Sequence, residues 1–301
     1  MLGRRGFPSI GLVRDALGVL VPAIRRGQLP PPPKEAWGGH RGFPVDDAVL
    51  AVQTLARRIA AVYRLDIGVV VVTFVEKLEA AGRVELAGPG QRDFFVELRS
   101  EFRTQPRIIS AILGHEVAHI FLHRHGLHPE SGLAAEILTD TTAVLYGFGA
   151  VMADTFRVSE HQEQMVDAVR ITTTVNQMGY LTPDEVGYAL TRAGFGHLHD
   201  ALESPAARDA VREGQRLARR ELTTPPLRSA SWWRRLGYRL ARWLAERRNR
   251  ASALTPDQLY RLEAGKVSFR CTVCCQGLRL PTRATVTATC PRCEAEVPCE
   301  T

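Results

Sequence analysis

All six cysteines of this 301-residue chain lie between Cys271 and Cys299, and the first 270 residues contain none. That distribution limits the fold before any element is assigned. A disulfide framework spreads its cysteines through the fold it staples, whereas a terminal cluster marks a local metal site in a reducing compartment. Within the cluster the pattern is Cys271-x2-Cys274-x15-Cys290-x2-Cys293. Two thiolate knuckles of this kind, on two β-hairpins, close a tetrahedral four-sulfur zinc site. Four protein ligands leave no open position for a substrate, so the role is structural. Binding energy becomes folding energy for a module too small to fold on its apolar core alone. Cys275 and Cys299 are spare, and the regular spacing selects Cys274 over Cys275.

The rest of the chain is long enough for one large domain or two smaller ones. A hydrophobic fraction of 45% and a charged fraction of 24% are those of an ordinary soluble globular protein. Net charge is +7, but only three of the 39 basic residues are lysines (Lys34, Lys77, Lys266). Such a bias reflects coding as much as function, so arginine count alone carries no argument. The N-terminus "MLGRRGFPSIGLVRDALGVLV" places two arginines before apolar residues, as an export signal does. Arg14 and Asp15 interrupt the run, however, and no small-residue cleavage site follows; the segment reads as an amphipathic helix. No apolar run reaches the roughly 18 residues that span a bilayer. A cytoplasmic protein is expected.

Four parts follow along the chain: an N-terminal helix and proline-rich arm (1–44), a mixed domain (45–200), a basic helical connector (201–265) and the cysteine module (266–301). Helix is expected over 10–26. "LPPPPKEAWGGHRGFP" then makes a stiff arm. "DDAVLAVQTLARRIAAVYRL" reads as a helix with Val49, Val52, Leu55, Ile59 and Val62 on one face. "GVVVVTFVE" suits a buried strand, and "RVELAGPGQRDFFVELRSE" reads as two strands around a Gly-Pro-Gly turn. Helices are expected from Pro106 to near Gly126, over about 131–146 and over about 158–178. Thr182, Pro183 and Glu185 form the start of another, with a capping box. Thr255 with Gln258 repeats that device. The interval 201–250 is mostly helical, broken at "TTPPL", and the last 35 residues are strand-like.

The chemistry concentrates in "AILGHEVAHIFLHRH", from Ala111. Residues four apart share a helix face, so His115 and His119 can bind one zinc ion from one turn. Glu116 beside them can reach a zinc-activated water as general base. This is the mechanical content of the HExxH pattern. Ile112, Leu113, Val117, Ala118, Ile120 and Phe121 surround these groups. On such a helix unpaired His and Glu would be costly. A catalytic zinc needs a third protein ligand, and three candidates exist. His123 continues the column, yet one straight helix does not readily close a tetrahedral site from three successive turns. His125 stands where HExxHxxGxxH would put its third His, but that pattern turns at a glycine and this chain has Leu122. Glu136 stands on the next expected helix, which a hairpin would bring back.

Asp140 follows Glu136 by four residues. In this ExxxD pair, after HExxH, the chain resembles the gluzincins, the thermolysin-like superfamily of zinc peptidases, over residues 105–150. The resemblance implies an α+β, zincin-like fold with a small sheet, Glu136 as third zinc ligand, and Asp140 bonding a ligand histidine from behind. It also implies an edge strand beside the active-site helix that binds peptide in extended form, for which "DFFVELRSE" is the candidate. The cysteine module similarly resembles bacterial zinc ribbons. An oxyanion donor could come from Tyr146, His161, Tyr180, His197 or His199; the sequence does not choose.

The segment 231–250, "SWWRRLGYRLARWLAERRNR", has seven arginines against one glutamate. Trp233, Leu236, Leu240, Trp243 and Leu244 fall on one helical face. That stripe can dock on the catalytic domain, lie on an anionic membrane surface or contact nucleic-acid phosphates. Together these readings lead to the expectation of a metallopeptidase with one catalytic and one structural zinc, acting on an intracellular protein or peptide. The rival is a non-enzymatic adaptor that binds nucleic acid or protein through the ribbon and the basic helix.

Overall fold

The amphipathic run after the N-terminal arginines forms helix α1, Ile10–Arg25. The computed structural model describes residues 6–37, 48–86, 91–127, 132–155, 179–195, 202–247 and 259–301, and the backbone of 157–164, 169–176 and 253–254. Packing divides the chain into two units: residues 1–13 with 28–215, and residues 14–27 with 216–301. The protein is mixed α+β with small sheets. No helix among the described residues is long and apolar enough to cross a membrane.

In the first unit, α2 (Ala48–Val62) buries Val52, Leu55, Ala56 and Ile59. Val49, expected on that face, is 48% exposed, because the packed stripe runs on through Ala60 to Tyr63 instead. Strands β1 (Val70–Val75), β2 (Gly82–Glu85) and β3 (Phe94–Arg99) form a sheet in the order β1-β3-β2. β1 runs parallel to β3, with Val72 opposite Val96. β2 runs antiparallel, with Val84 opposite Val96. The segment "DFFVELRSE" therefore holds the central strand and not an edge. Its alternation buries Phe94, Val96 and Leu98, and both of its flanks are hydrogen-bonded. The edge beside the helix that follows is β2. The Gly88-Pro89-Gly90 turn lies outside the described residues.

Helix α3 (Pro106–Arg124) starts with Pro in its first turn, where the missing N–H costs nothing. Thirteen of its residues are buried, as an all-round apolar helix must be. It ends where Gly126 takes φ +65°. There Gly126 N–H bonds the His123 carbonyl and Leu127 N–H the Leu122 carbonyl, which satisfies the last turn. Helix α4 (Leu133–Ala143) folds back against it. The expected helix to residue 146 is interrupted: a wide turn, Val144–Phe148, with Gly147 at φ +99°, leads into α5 (Gly149–Asp154).

Where a helix was expected over 158–178, residues 157–164 and 169–176 are strands: β4 (Arg157–Gln164) and β5 (Val169–Asn176) pair antiparallel, with His161 opposite Thr172. Val169, Ile171, Thr172, Thr173, Thr174 and Val175 are all β-branched, which favours strand over helix. Helix α6 (Pro183–Arg192) carries the expected capping box between Thr182 and Glu185.

An aromatic knot holds α2, α3 and the wide turn together. Tyr63 stacks on Tyr146 at 5.0 Å and Phe148 at 5.6 Å, and tilts against Phe121 at 5.4 Å. Each such ring, fully buried, contributes roughly 1.5–3 kcal/mol. The buried Tyr63 hydroxyl donates to the Gly114 carbonyl at 2.8 Å, one residue before His115.

Helix α7 (Pro205–Thr223) carries residues of both units. The second unit continues with α8 (Trp232–Arg247) and the strands β6 (Ala253–Leu254), β7 (Tyr260–Glu263), β8 (Lys266–Arg270), β9 (Gly277–Pro281), β10 (Val286–Thr289) and β11 (Glu296–Cys299). β6 to β9 form one antiparallel sheet, and β10 and β11 a second. Residues 260–263 are strand, so no helix follows Thr255 and Gln258, which lie outside the described residues. Tyr260 and Leu262 alternate inward there, the period of a strand. Helix α8 buries Tyr238 against Tyr260, with Ala241 and Ala245 beside it, on the cluster around the cysteines. It packs by the face that carries Tyr238, Ala241 and Ala245, while the Trp/Leu stripe is exposed.

Tyr63→Phe should keep the stack and lose one buried hydrogen bond. Chemical denaturation should show a loss of about 1 kcal/mol.

Candidate metal centres

The hairpin of α3 and α4 puts three ligand atoms together. His115 Nε2 lies 3.0 Å from His119 Nε2, and Glu136 Oε2 lies 3.3 Å from the first and 3.4 Å from the second. Three ligands held about 2.0–2.1 Å from one ion in tetrahedral array would be ~3.3 Å apart. The cluster has that size, so it can hold a metal ion without moving. His123 and His125 stay out. His125 is the cap residue of α3, and its Nδ1 lies 2.9 Å from the Phe121 carbonyl.

The other nitrogen of each ring is already bound. His115 Nδ1 donates to Asp140 Oδ1 at 2.6 Å. His119 Nδ1 donates to Thr139 Oγ1 at 3.2 Å, while that hydroxyl donates to the Ala135 carbonyl at 3.0 Å. These bonds turn the Nε2 of each ring inward, toward Glu136. The two Nε2 atoms lie within hydrogen-bonding distance of each other, and a cation between them would take a lone pair from each.

Asp140 is fully buried. Besides His115 it accepts the backbone N–H groups of Tyr180, at 2.5 Å, and Leu181, at 3.0 Å. Gly179 allows this approach. It sits at φ +97°, and a Cβ there would lie 2.8 Å from the carboxylate. Sequence reasoning missed Thr139 and this backbone clamp. Thr139 was legible in principle, because Glu136, Thr139 and Asp140 share one helix face. The clamp joins residues 40 apart and left no local signal.

Electrostatics match the geometry. Burial pushes Glu136 up, but the hydrogen bonds and charges of His115 and His119 hold it well below the usual carboxylate range. Burial pushes His115 down, and Asp140 overrides this, so its pKa stands well above the usual value. Burial raises Glu116 against the pull of both histidines. Glu116 accepts a hydrogen bond from the Val84 backbone, and Gly82 leaves the space it occupies: a Cβ on Gly82 would lie 2.9 Å from Glu116 Oε1. Edge strand β2 is thus seated directly on the carboxylate.

A cleft of about 1270 Å³ opens on these groups. His115, Glu116, His119 and Glu136 line it with Gly82, Val84 and Tyr180. The Tyr180 ring lies 6.3 Å from that of His115, and burial raises its pKa, so the phenol stays a donor. Tyr146 is excluded from the cleft; its buried hydroxyl donates to the Pro30 carbonyl at 2.6 Å. The side chain of His161, and all of His197 and His199, lie outside the described residues.

The second centre is the buried group Cys271, Cys274, Cys290 and Cys293. Sulfurs at ~2.3 Å from one ion would be ~3.8 Å apart. Here Cys271 and Cys293 are 3.8 Å apart, and Cys274 and Cys290 are 3.6 Å apart. The two knuckles repeat one another. Cys275 N–H bonds the Cys271 carbonyl, and Glu294 N–H bonds the Cys290 carbonyl. Cys275 and Glu294 sit at φ +60° and +59°. Cys275 is therefore the left-handed residue that closes a knuckle, which is why it is not a ligand. Burial pushes the Cys271 thiol up to about 11, so it becomes a thiolate at neutral pH only by giving its proton up to a bound cation.

Asp140→Asn should weaken metal binding at the histidine site about 10–100-fold, and Thr139→Val should act in the same direction; competition with a chelator measures both. Cys274→Ser should lose one equivalent of metal per chain, while Cys275→Gly should lose none, read by elemental analysis.

Against protein-family models, curated proteins and solved structures, the chain finds no match.

Proposed function

We propose that the chain is a zinc peptidase of the gluzincin type, with a zincin-like first unit and a structural zinc ribbon in the second. It would work in the cytoplasm, where its six cysteines, none of them in a disulfide, stay reduced. One observation carries the reading. Ligand atoms 3.0–3.4 Å apart, the buried carboxylate of Glu116 and the edge of β2 line the same cleft. A mere metal store needs neither the free carboxylate nor the cleft.

Each group has a task in peptide hydrolysis. Bound zinc supplies Lewis acidity, which eases deprotonation of water and polarises a carbonyl. His115, His119 and Glu136 would hold it. Glu116 takes the proton of the attacking water and later gives it to the leaving amine; its raised pKa suits both transfers. Tyr180 offers a neutral donor to the oxyanion as it develops. The edge of β2, paired among the described residues only to β3, can align an extended backbone. Asp140 and Thr139 hold the ligand histidines in one tautomer. No covalent intermediate is needed.

Glu116→Gln should keep two zinc ions per chain and cut hydrolysis of casein, or of a quenched peptide mixture, about 10²–10⁴-fold. Tyr180→Phe should lower kcat about 10²-fold with KM little changed. Unimpaired cleavage by Glu116→Gln, or no cleavage by the zinc-loaded wild type, would reject the reading. In the adaptor alternative, the biological activity survives Glu116→Gln.

A further inference from the structure

We infer that α8 is a docking face for an anionic phospholipid surface. Among the described residues the helix is held by one side: Tyr238, Ala241 and Ala245 pack on the core of the second unit. The other side presents Trp233 at 68% exposure and Leu240 at 56%, with Trp232, Leu236, Trp243 and Leu244 around them. Trp232 and Trp233 stack at 3.7 Å, so the stripe begins in a flat aromatic pair. Scattered exposed apolar residues are ordinary, but six large ones on one helix are not.

Charge selects the occupant. Five arginines of α8 meet two carboxylates: Arg235 and Arg239 bind Glu300, and Arg242 approaches Glu246. Among the described residues Arg234 reaches the Thr223 hydroxyl, at 2.9 Å, and Arg247 lies over the Trp243 ring at 4.0 Å, neither on a carboxylate. Both are exposed. The stripe is thus rimmed with uncompensated positive charge. A second copy of the chain would bring the same charges against each other. Nucleic acid would match arginines and tryptophans, but Leu236, Leu240 and Leu244 occupy the middle of the stripe and have no use against phosphates. Aliphatic residues between tryptophans, rimmed by arginine, fit the boundary of headgroups and acyl chains. The helix is too polar to enter further, and would lie in the plane of the surface.

The test is flotation of the full chain with vesicles of phosphatidylcholine alone, or mixed with phosphatidylserine, at an ionic strength of about 0.15 M. Binding to the mixed vesicles is expected, about ten-fold or more above the neutral ones. Trp233→Ser with Leu240→Ser should weaken binding to the mixed vesicles about ten-fold or more. Arg234→Gln with Arg247→Gln should lower binding to the mixed vesicles alone. All four side chains are exposed, so metal content and helical circular dichroism should hold; if a pair fails this check, Trp233→Ala alone replaces it. The inference is overturned if the chain floats with neither vesicle, or if the Trp/Leu pair binds as well as wild type. It is also overturned if the stripe instead mediates self-association in sedimentation, or if duplex DNA binds with the same dependence on Trp233 and Leu240 while vesicles do not. Glu116→Gln should float like the wild type, which separates this outcome from the peptidase reading.

Discussion

The first unit depends on one buried carboxylate. Asp140 has no exposed surface, so each of its hydrogen bonds forms away from water, where a lost partner costs more than a formed bond contributes. Three elements meet on it. Its own helix α4 brings Glu136, helix α3 brings His115, and the segment before α6 brings two backbone N–H groups. The histidine proton, the ring orientation and the position of Tyr180 are set together.

The two candidate centres solve opposite problems with the same residue economy. Four buried cysteines form the second candidate centre, and each knuckle turns through a left-handed residue. It is closed on all sides and can only hold. The His/His/Glu site is built from three side chains on two helices, and the fourth side faces a cleft. An open side, with the buried carboxylate of Glu116 beside it, sets this group apart from the closed four-cysteine one.

Much of this was legible in sequence, for local reasons. CxxC spacing, the i, i+4 histidines and the Thr182 capping box each encode a structure within a few residues. Glu136 was legible only by way of the hairpin, and among His123, His125 and Glu136 the residues alone left the choice open. Failures came where the answer is tertiary or where periods compete. The β-branched run 169–175 was read as helix and forms a strand. Phe94, Val96 and Leu98 showed alternation, but alternation does not tell a central strand from an edge; the order β1-β3-β2 does. Gly82, which lets that edge reach Glu116, carries no signal beyond being a glycine.

Helix α1 contributes its first turn to one unit and the rest to the other, and α7 is divided in the same way. The second unit is therefore discontinuous in sequence. Residues 14–27 are made well before the segments they pack on, among them the Cys293 carbonyl that accepts from Arg25. During synthesis this half of α1 must wait with its apolar face open while the whole intervening unit is produced. Vectorial folding favours domains closed in chain order, so the second unit can be completed only after the intervening residues 28–215 have been made.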